Sequence, residues 1–97
     1  MINRTVLVKF GETTTQEQLQ EVVDQFKGLK QHLTGIVDLQ AGLNFAEKSK
    51  EYQVVLTVRF EDRAALDAYV ENEEHQKVAA FIREVGRVDS IGVDFEL

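Results

Sequence analysis

Apolar residues recur at every second position in four stretches of this chain and at every third or fourth in two regions between them. The order of those stretches leaves few folds open. In Asn3 to Phe10, Val6, Val8 and Phe10 alternate with Leu7 and Lys9, and β-branched residues favour an extended strand. Gly11-Glu12 turns the chain. Thr14 reads as a helix N-cap with Glu17 three residues on, a capping box. Leu19, Val22, Val23 and Phe26 then form one helical stripe. Gly28 is the expected stop, and a loop with Leu29 and Leu33 leads to Gly35.

Ile36 to Phe45 reads as a second extended segment, an edge strand with Ala41-Gly42 as its expected bulge. Ala46 to Lys50 is polar and reads as a loop. Glu51 to Phe60 is the clearest strand: Val54, Leu56, Val58 and Phe60 face one way, and Val55, Thr57 and Arg59 the other. Asp62 caps a short helix carrying Leu66, Tyr69 and Val70 on its inner side. Asn72 caps another, whose stripe is His75, Val78, Ala79, Ile82 and Val85. Gly86 ends it, and Arg87 to Leu97 returns as a strand with Ile91, Val93 and Phe95. The order is β-α-β-β-α-β with the second helix broken at Asn72. The economical solution is an α+β, ferredoxin-like split βαβ unit spanning 1–97 as one domain: a four-stranded antiparallel sheet with its helices on one face.

Those helices cover only one face, yet the strands carry aliphatics on both. Leu7, Val55 and Leu39 are expected opposite the helix-packed set, and an uncovered apolar face needs a partner. A homodimer with the sheets face to face is therefore predicted. A formal charge of −6 argues against nucleic acid, which needs a basic stripe. No apolar run approaches 18 residues, so no membrane span is expected. Without cysteine there is neither disulfide nor thiolate metal site. A cytoplasmic protein is the default expectation. No metal or cofactor is implied: no His-x-x-x-His, EF-hand, G-x-G-x-x-G, phosphate loop or G-x-S-x-G pattern occurs.

The candidate site lies in DAYVENEEHQ, Asp67 to Gln76. His75 shares the stripe of Val78, Ala79 and Ile82, and Tyr69 lies on the inner side of the preceding helix. Both should face the space between helices and sheet, floored by Val6, Val8 and Leu56 and walled by Val22, Val23 and Phe26. If those side chains fill the space it is a plain core; if they leave a gap it is an apolar pocket with two polar groups. In a pocket, neutral His75 could accept a proton and Tyr69 could donate a hydrogen bond to a developing oxyanion. His32 reads as a surface residue, and Glu71, Glu73 and Glu74 as a solvated helix start.

RTVLVKF, VRFEDRAALDAYVENEEHQKVAAFIRE and VDSIGVDFEL together resemble the stress-responsive α/β-barrel domain family, Dabb, nearly end to end from Arg4 to Leu97. The most specific piece is F-E-D-x-x-A-L-x-x-Y, Phe60 to Tyr69, with His75 six residues later. The resemblance implies a ferredoxin-like fold and a dimer closing an α/β barrel. Most of the family has no established activity. Some plant members are stress-induced, very stable oligomers, which implies a non-catalytic stress or assembly role as one alternative. One member closes a linear polyketide by aldol condensation, and its Tyr and His align with Tyr69 and His75. A cofactor-free monooxygenase on the related dimeric barrel is a further alternative. Two departures stand out: Asn72-Glu73-Glu74-His75 replaces a frequent His-Pro-x-His, and Arg4 replaces a strand-one histidine. A small apolar or weakly acidic ligand is expected; the permanent cation of Arg4 favours an anionic one, unless Arg4 pairs with a nearby acid.

Overall fold

The computed structural model describes all of Met1–Leu97. Its elements are β1 (Ile2–Phe10), α1 (Gln16–Gly28), β2 (Ile36–Leu43), β3 (Tyr52–Phe60), α2 (Arg63–Glu71), α3 (Glu73–Glu84) and β4 (Arg87–Glu96). Short 3-10 turns at Leu29–His32 and Glu47–Ser49 join them, and His32 is exposed. The sheet is antiparallel throughout, in the order β2-β3-β1-β4. This is the ferredoxin-like α+β arrangement. No helix is long and apolar enough to cross a membrane.

Alternation along β3 divides the two faces. Val54, Leu56, Val58 and Phe60 are buried beneath the helices, and all four are at most 1% exposed. From β1, Ile2, Val8 and Phe10 join them, and from α1, Leu19, Val22, Val23 and Phe26. Burying side chains of this size contributes about 1.5–3 kcal/mol each, so the core rests on β3 and α1.

β2 departs from the expected pattern. The register slips between Ile36 and Asp38, whereas Gly42 pairs regularly with Val55. The bulge thus falls near Val37 rather than at Ala41-Gly42. An extra residue reverses the parity of everything after it. Leu39 is therefore opposite Val58 and buried, and the expectation that it faces outward is corrected.

The N-terminus of α1 is also one residue later than its pattern suggests. Two overlapping T-x-x-E/Q patterns compete, and Thr15 with Gln18 forms the capping box rather than Thr14 with Glu17. Thr14 is engaged elsewhere: its hydroxyl donates to Val85 O at 2.6 Å, at the end of α3. Gly86, beside it, has φ +117°, and a Cβ there would collide with the Thr14 hydroxyl oxygen. Gly11 N–H donates to Gly86 O at 3.0 Å. The β1–α1 and α3–β4 connections are thereby tied together.

The other sheet face has no helix. Leu7 and Val55 are half-buried there, and cross-strand register places Ile91 beside Leu7, Val93 beside Thr5 and Phe95 beside Asn3. Ile91, Val93 and Phe95 are 41–55% exposed, a large apolar surface for a single chain.

Candidate active site

Tyr69 and His75 meet because one residue ends α2 and starts α3. Asn72 is extended (φ −66°, ψ 137°), donates its N–H to Tyr69 O at 3.2 Å, and accepts the Glu74 N–H on its side-chain oxygen at 2.8 Å. An extended residue between two helical turns bends the chain, so the last turn of α2 and the first turn of α3 face one another. The rings of Tyr69 and His75 lie 4.3 Å apart between centroids, tilted by 43°. Phe60 holds Tyr69 from below, with ring centroids 5.2 Å apart. Val70, expected beside Tyr69, is instead exposed. A nine-residue helix whose inner side is taken by Leu66 and Tyr69 turns the next residue outward.

The imidazole has a defined role for each nitrogen. Nδ1 is 3.3 Å from Val70 O, a carbonyl in the last turn of α2. A carbonyl only accepts, so Nδ1 carries the proton and donates, and Nε2 of the neutral ring keeps a free lone pair. Burial holds the His75 pKa below its ordinary 6.5, the bond to Val70 O opposes this, and the Arg4 cation adds to the lowering. At neutral pH the ring is therefore the neutral base.

Tyr69 is almost fully buried, and burial pushes its pKa up to about 12, against a lowering by Arg4. It remains a protonated phenol across the physiological range. Its hydroxyl makes no hydrogen bond to the protein and borders a cavity of about 260 Å³.

That cavity lies between α3 and the β1–β4 half of the sheet and opens to solvent. Of the residues singled out in the sequence, Arg4, Val6, Val8, Phe26, Leu56, Tyr69, His75 and Ile82 line it. Val22, Val23 and Val78 do not; they are corrected to core positions, closely packed at 0–7% exposure. Ala79, Arg87, Ser90 and Gly92 complete the lining. Ser90 and Gly92 carried a legible sign: they occupy the strand parity opposite Ile91, Val93 and Phe95. Small residues on the helix-facing side of a strand leave space. A Cβ on Gly92 would meet nothing within 4 Å.

Arg4 is paired with an acid. Its Nε and Nη2 donate to the two carboxylate oxygens of Asp94 at 2.8 and 3.2 Å, a bidentate contact. The β1–β4 register sets Arg4 directly across from Asp94. No cluster of three metal-ligating side chains occurs in the chain.

No curated protein matches the sequence. Among solved structures, a dimeric ferredoxin-like protein of unknown function from Jannaschia sp. CCS1 is 26% identical. It superposes with a TM-score of 0.81 over 99% of this chain and 98% of its own. A dimeric ferredoxin-like protein of unknown function from Thermobifida fusca YX is 19% identical, with a TM-score of 0.86 over 99% and 90%. A hydroxynitrile lyase from Passiflora edulis is 8% identical, with a TM-score of 0.83 over 99% and 92%. At such identities the last two show the shared fold alone. The model of the stress responsive A/B barrel domain matches residues 2–97, and the chain belongs to that family, Dabb.

Proposed function

We propose that this protein binds a small, apolar or weakly acidic carbonyl compound in the cavity between α3 and the sheet and moves a proton on it. The observation that carries the reading is the division of roles at one cavity wall. His75 has its Nδ1–H committed to Val70 O and its Nε2 free, and Tyr69 offers a hydroxyl that has no partner in the protein and is accessible from the cavity. His75 Nε2 takes a proton from the carbon next to the carbonyl. The electron pair of that C–H bond moves into the carbon–carbon bond and onto the carbonyl oxygen, where the Tyr69 hydroxyl donates to the developing oxyanion. Return of the proton from His75 restores the ketone; attack of the enolate carbon on a second carbonyl of the same molecule would make it an aldol cyclisation.

The chain is further proposed to act as a homodimer through the uncovered sheet face. The five apolar side chains there and the dimeric state of the Jannaschia and Thermobifida proteins support this. A non-catalytic assembly role would leave the cavity without exchange chemistry.

Isotope exchange decides between the two. In D2O with 7-oxooctanoate as probe, the NMR signals of the protons beside the ketone are expected to fade faster with protein than in buffer. His75→Gln and Tyr69→Phe should each reduce that rate, by about 10²- to 10⁴-fold for the base. Gly92→Val, whose Cβ has open space around it and whose methyls extend into the cavity, should do the same with the fold intact. Exchange no faster than buffer with the wild-type protein, or unchanged in His75→Gln, would overturn the reading.

A further inference from the structure

We infer that the cavity selects an elongated keto acid, its carboxylate held by Arg87 at the mouth and its carbonyl at the Tyr69–His75 end. This deepens the reading above and rests on it for the cavity being a ligand site.

The first observation is the sign of the lining. The chain has 17 acidic residues against 11 Lys and Arg, yet no Asp or Glu lines the cavity, while Arg4 and Arg87 both do. A cationic cavity in an anionic protein concentrates anions locally while the rest of the surface repels them. The second observation separates the two arginines. Arg4 is occupied by its bidentate contact with Asp94, whereas Arg87 has no carboxylate within ion-pair distance. Arg87 is the cation left to meet a ligand. Ser90 lines the cavity on the same strand, and its hydroxyl makes no hydrogen bond in the chain, so it is available as a second donor.

Position along the sheet sets the length of the ligand. Arg4 is close enough to Tyr69 and His75 to influence the ionisation of both. Arg87 pairs with Phe10, six residues further along β1. At about 3.3 Å per residue the two strand positions are about 20 Å apart. An extended arginine side chain shortens that gap but does not close it. With side chains reaching into the space between from both ends, a ligand that meets Arg87 and the Tyr69–His75 pair carries its carboxylate and its carbonyl several bonds apart. The backbone before Arg87 is fixed by Gly86 and by the Thr14–Val85 and Gly11–Gly86 hydrogen bonds, so the guanidinium is carried on a rigid base.

Binding is measured by NMR titration with 7-oxooctanoate, its neutral isostere 7-oxooctanamide, and the short 4-oxopentanoate. Wild type is expected to bind 7-oxooctanoate about tenfold more tightly than the amide, the usual scale of one charge-assisted contact. It should also prefer 7-oxooctanoate to 4-oxopentanoate. Arg87→Gln should abolish the preference for carboxylate over amide, and Arg87→Lys should restore part of it. An Arg87→Gln protein that keeps the full preference, or a wild type with none, overturns the inference. The same titration on His75→Gln separates it from proton transfer: carboxylate preference retained there, with wild-type exchange absent, leaves the anion site standing and removes the chemistry. No binding of any of the three probes overturns both.

Discussion

At the level of single residues, the two candidate catalytic groups are tuned in opposite directions by the same cause. Burial disfavours the charged form of each, so the imidazole is held neutral and the phenol is held protonated. Each shift is a statement about stability as well as reactivity. For His75, the unfolded chain binds the proton more tightly than the folded one. Its contribution to stability is therefore full above the ordinary value of 6.5 and falls as pH drops from 6.5 through the lowered folded value. For Tyr69 the contribution is full below pH 10.0 and is lost as pH rises through about 12. Melting curves across pH are expected to show an acid-side decline below 6.5 that His75→Gln makes shallower. An imidazole titrating at or above 6.5 by NMR would contradict this account. The residues themselves were readable in the sequence, since Tyr69 and His75 sit at helical positions pointing inward. That Arg4 could pair with an acid was readable as well, but not which acid, because Asp94 is ninety residues away and only the strand register joins them. Arg87 was missed for a related reason: a cation opening a surface strand has the same local signature whether it meets solvent or a cavity.

Among the elements, the junction at Asn72 matters most for the site. Its side chain caps α3, its backbone N–H closes α2, and its carbonyl accepts Gln76 N–H at 3.0 Å. Replacing it with alanine is expected to cost about 0.5–2 kcal/mol in chemical denaturation, the range for losing an N-cap. It should also slow proton exchange at the probe more than that loss of stability explains, because the His75–Val70 contact spans the same bend. Asn72→Asp should recover the cap and most of the exchange. Equal exchange in Asn72→Ala and wild type would mean that the bend is held by packing alone. Caps at Asp62 and Asn72 were legible because a short polar side chain precedes each apolar stripe. The start of α1 was ambiguous because Thr14 and Thr15 both satisfy the local pattern, and the choice is made by Val85, a long-range partner. The position of the β2 bulge was hidden likewise: Gly42 is the weaker strand residue, but the register with β3 places the extra residue near Val37.

For the molecule as a whole, β4 belongs to two surfaces at once. Ser90, Gly92 and Asp94 lie on its helix-facing side, where the first two form the cavity wall and the third grips Arg4. Ile91, Val93 and Phe95 lie on the side proposed for the second copy. β4 is an edge strand: it pairs with β1 alone, and side-chain bonds from Arg4, Tyr52 and Arg63 to Asp94, Asp89 and Glu96 hold it besides. Residues of both surfaces alternate on this one strand, so a ligand that shifts it on one side is expected to be felt on the other, and any such coupling is reciprocal. Protein concentration then becomes a variable of ligand affinity. Wild type is expected to sediment as a dimer at micromolar concentration and Val93→Asp as a monomer, with the dissociation constant for 7-oxooctanoate differing between them. The ligand should in turn shift the wild-type dimerisation constant by a matching factor; a monomeric wild type would remove the premise, and equal affinities would show two faces of one strand that do not communicate. A molecule built in this way would report its own abundance through the occupancy of its cavity.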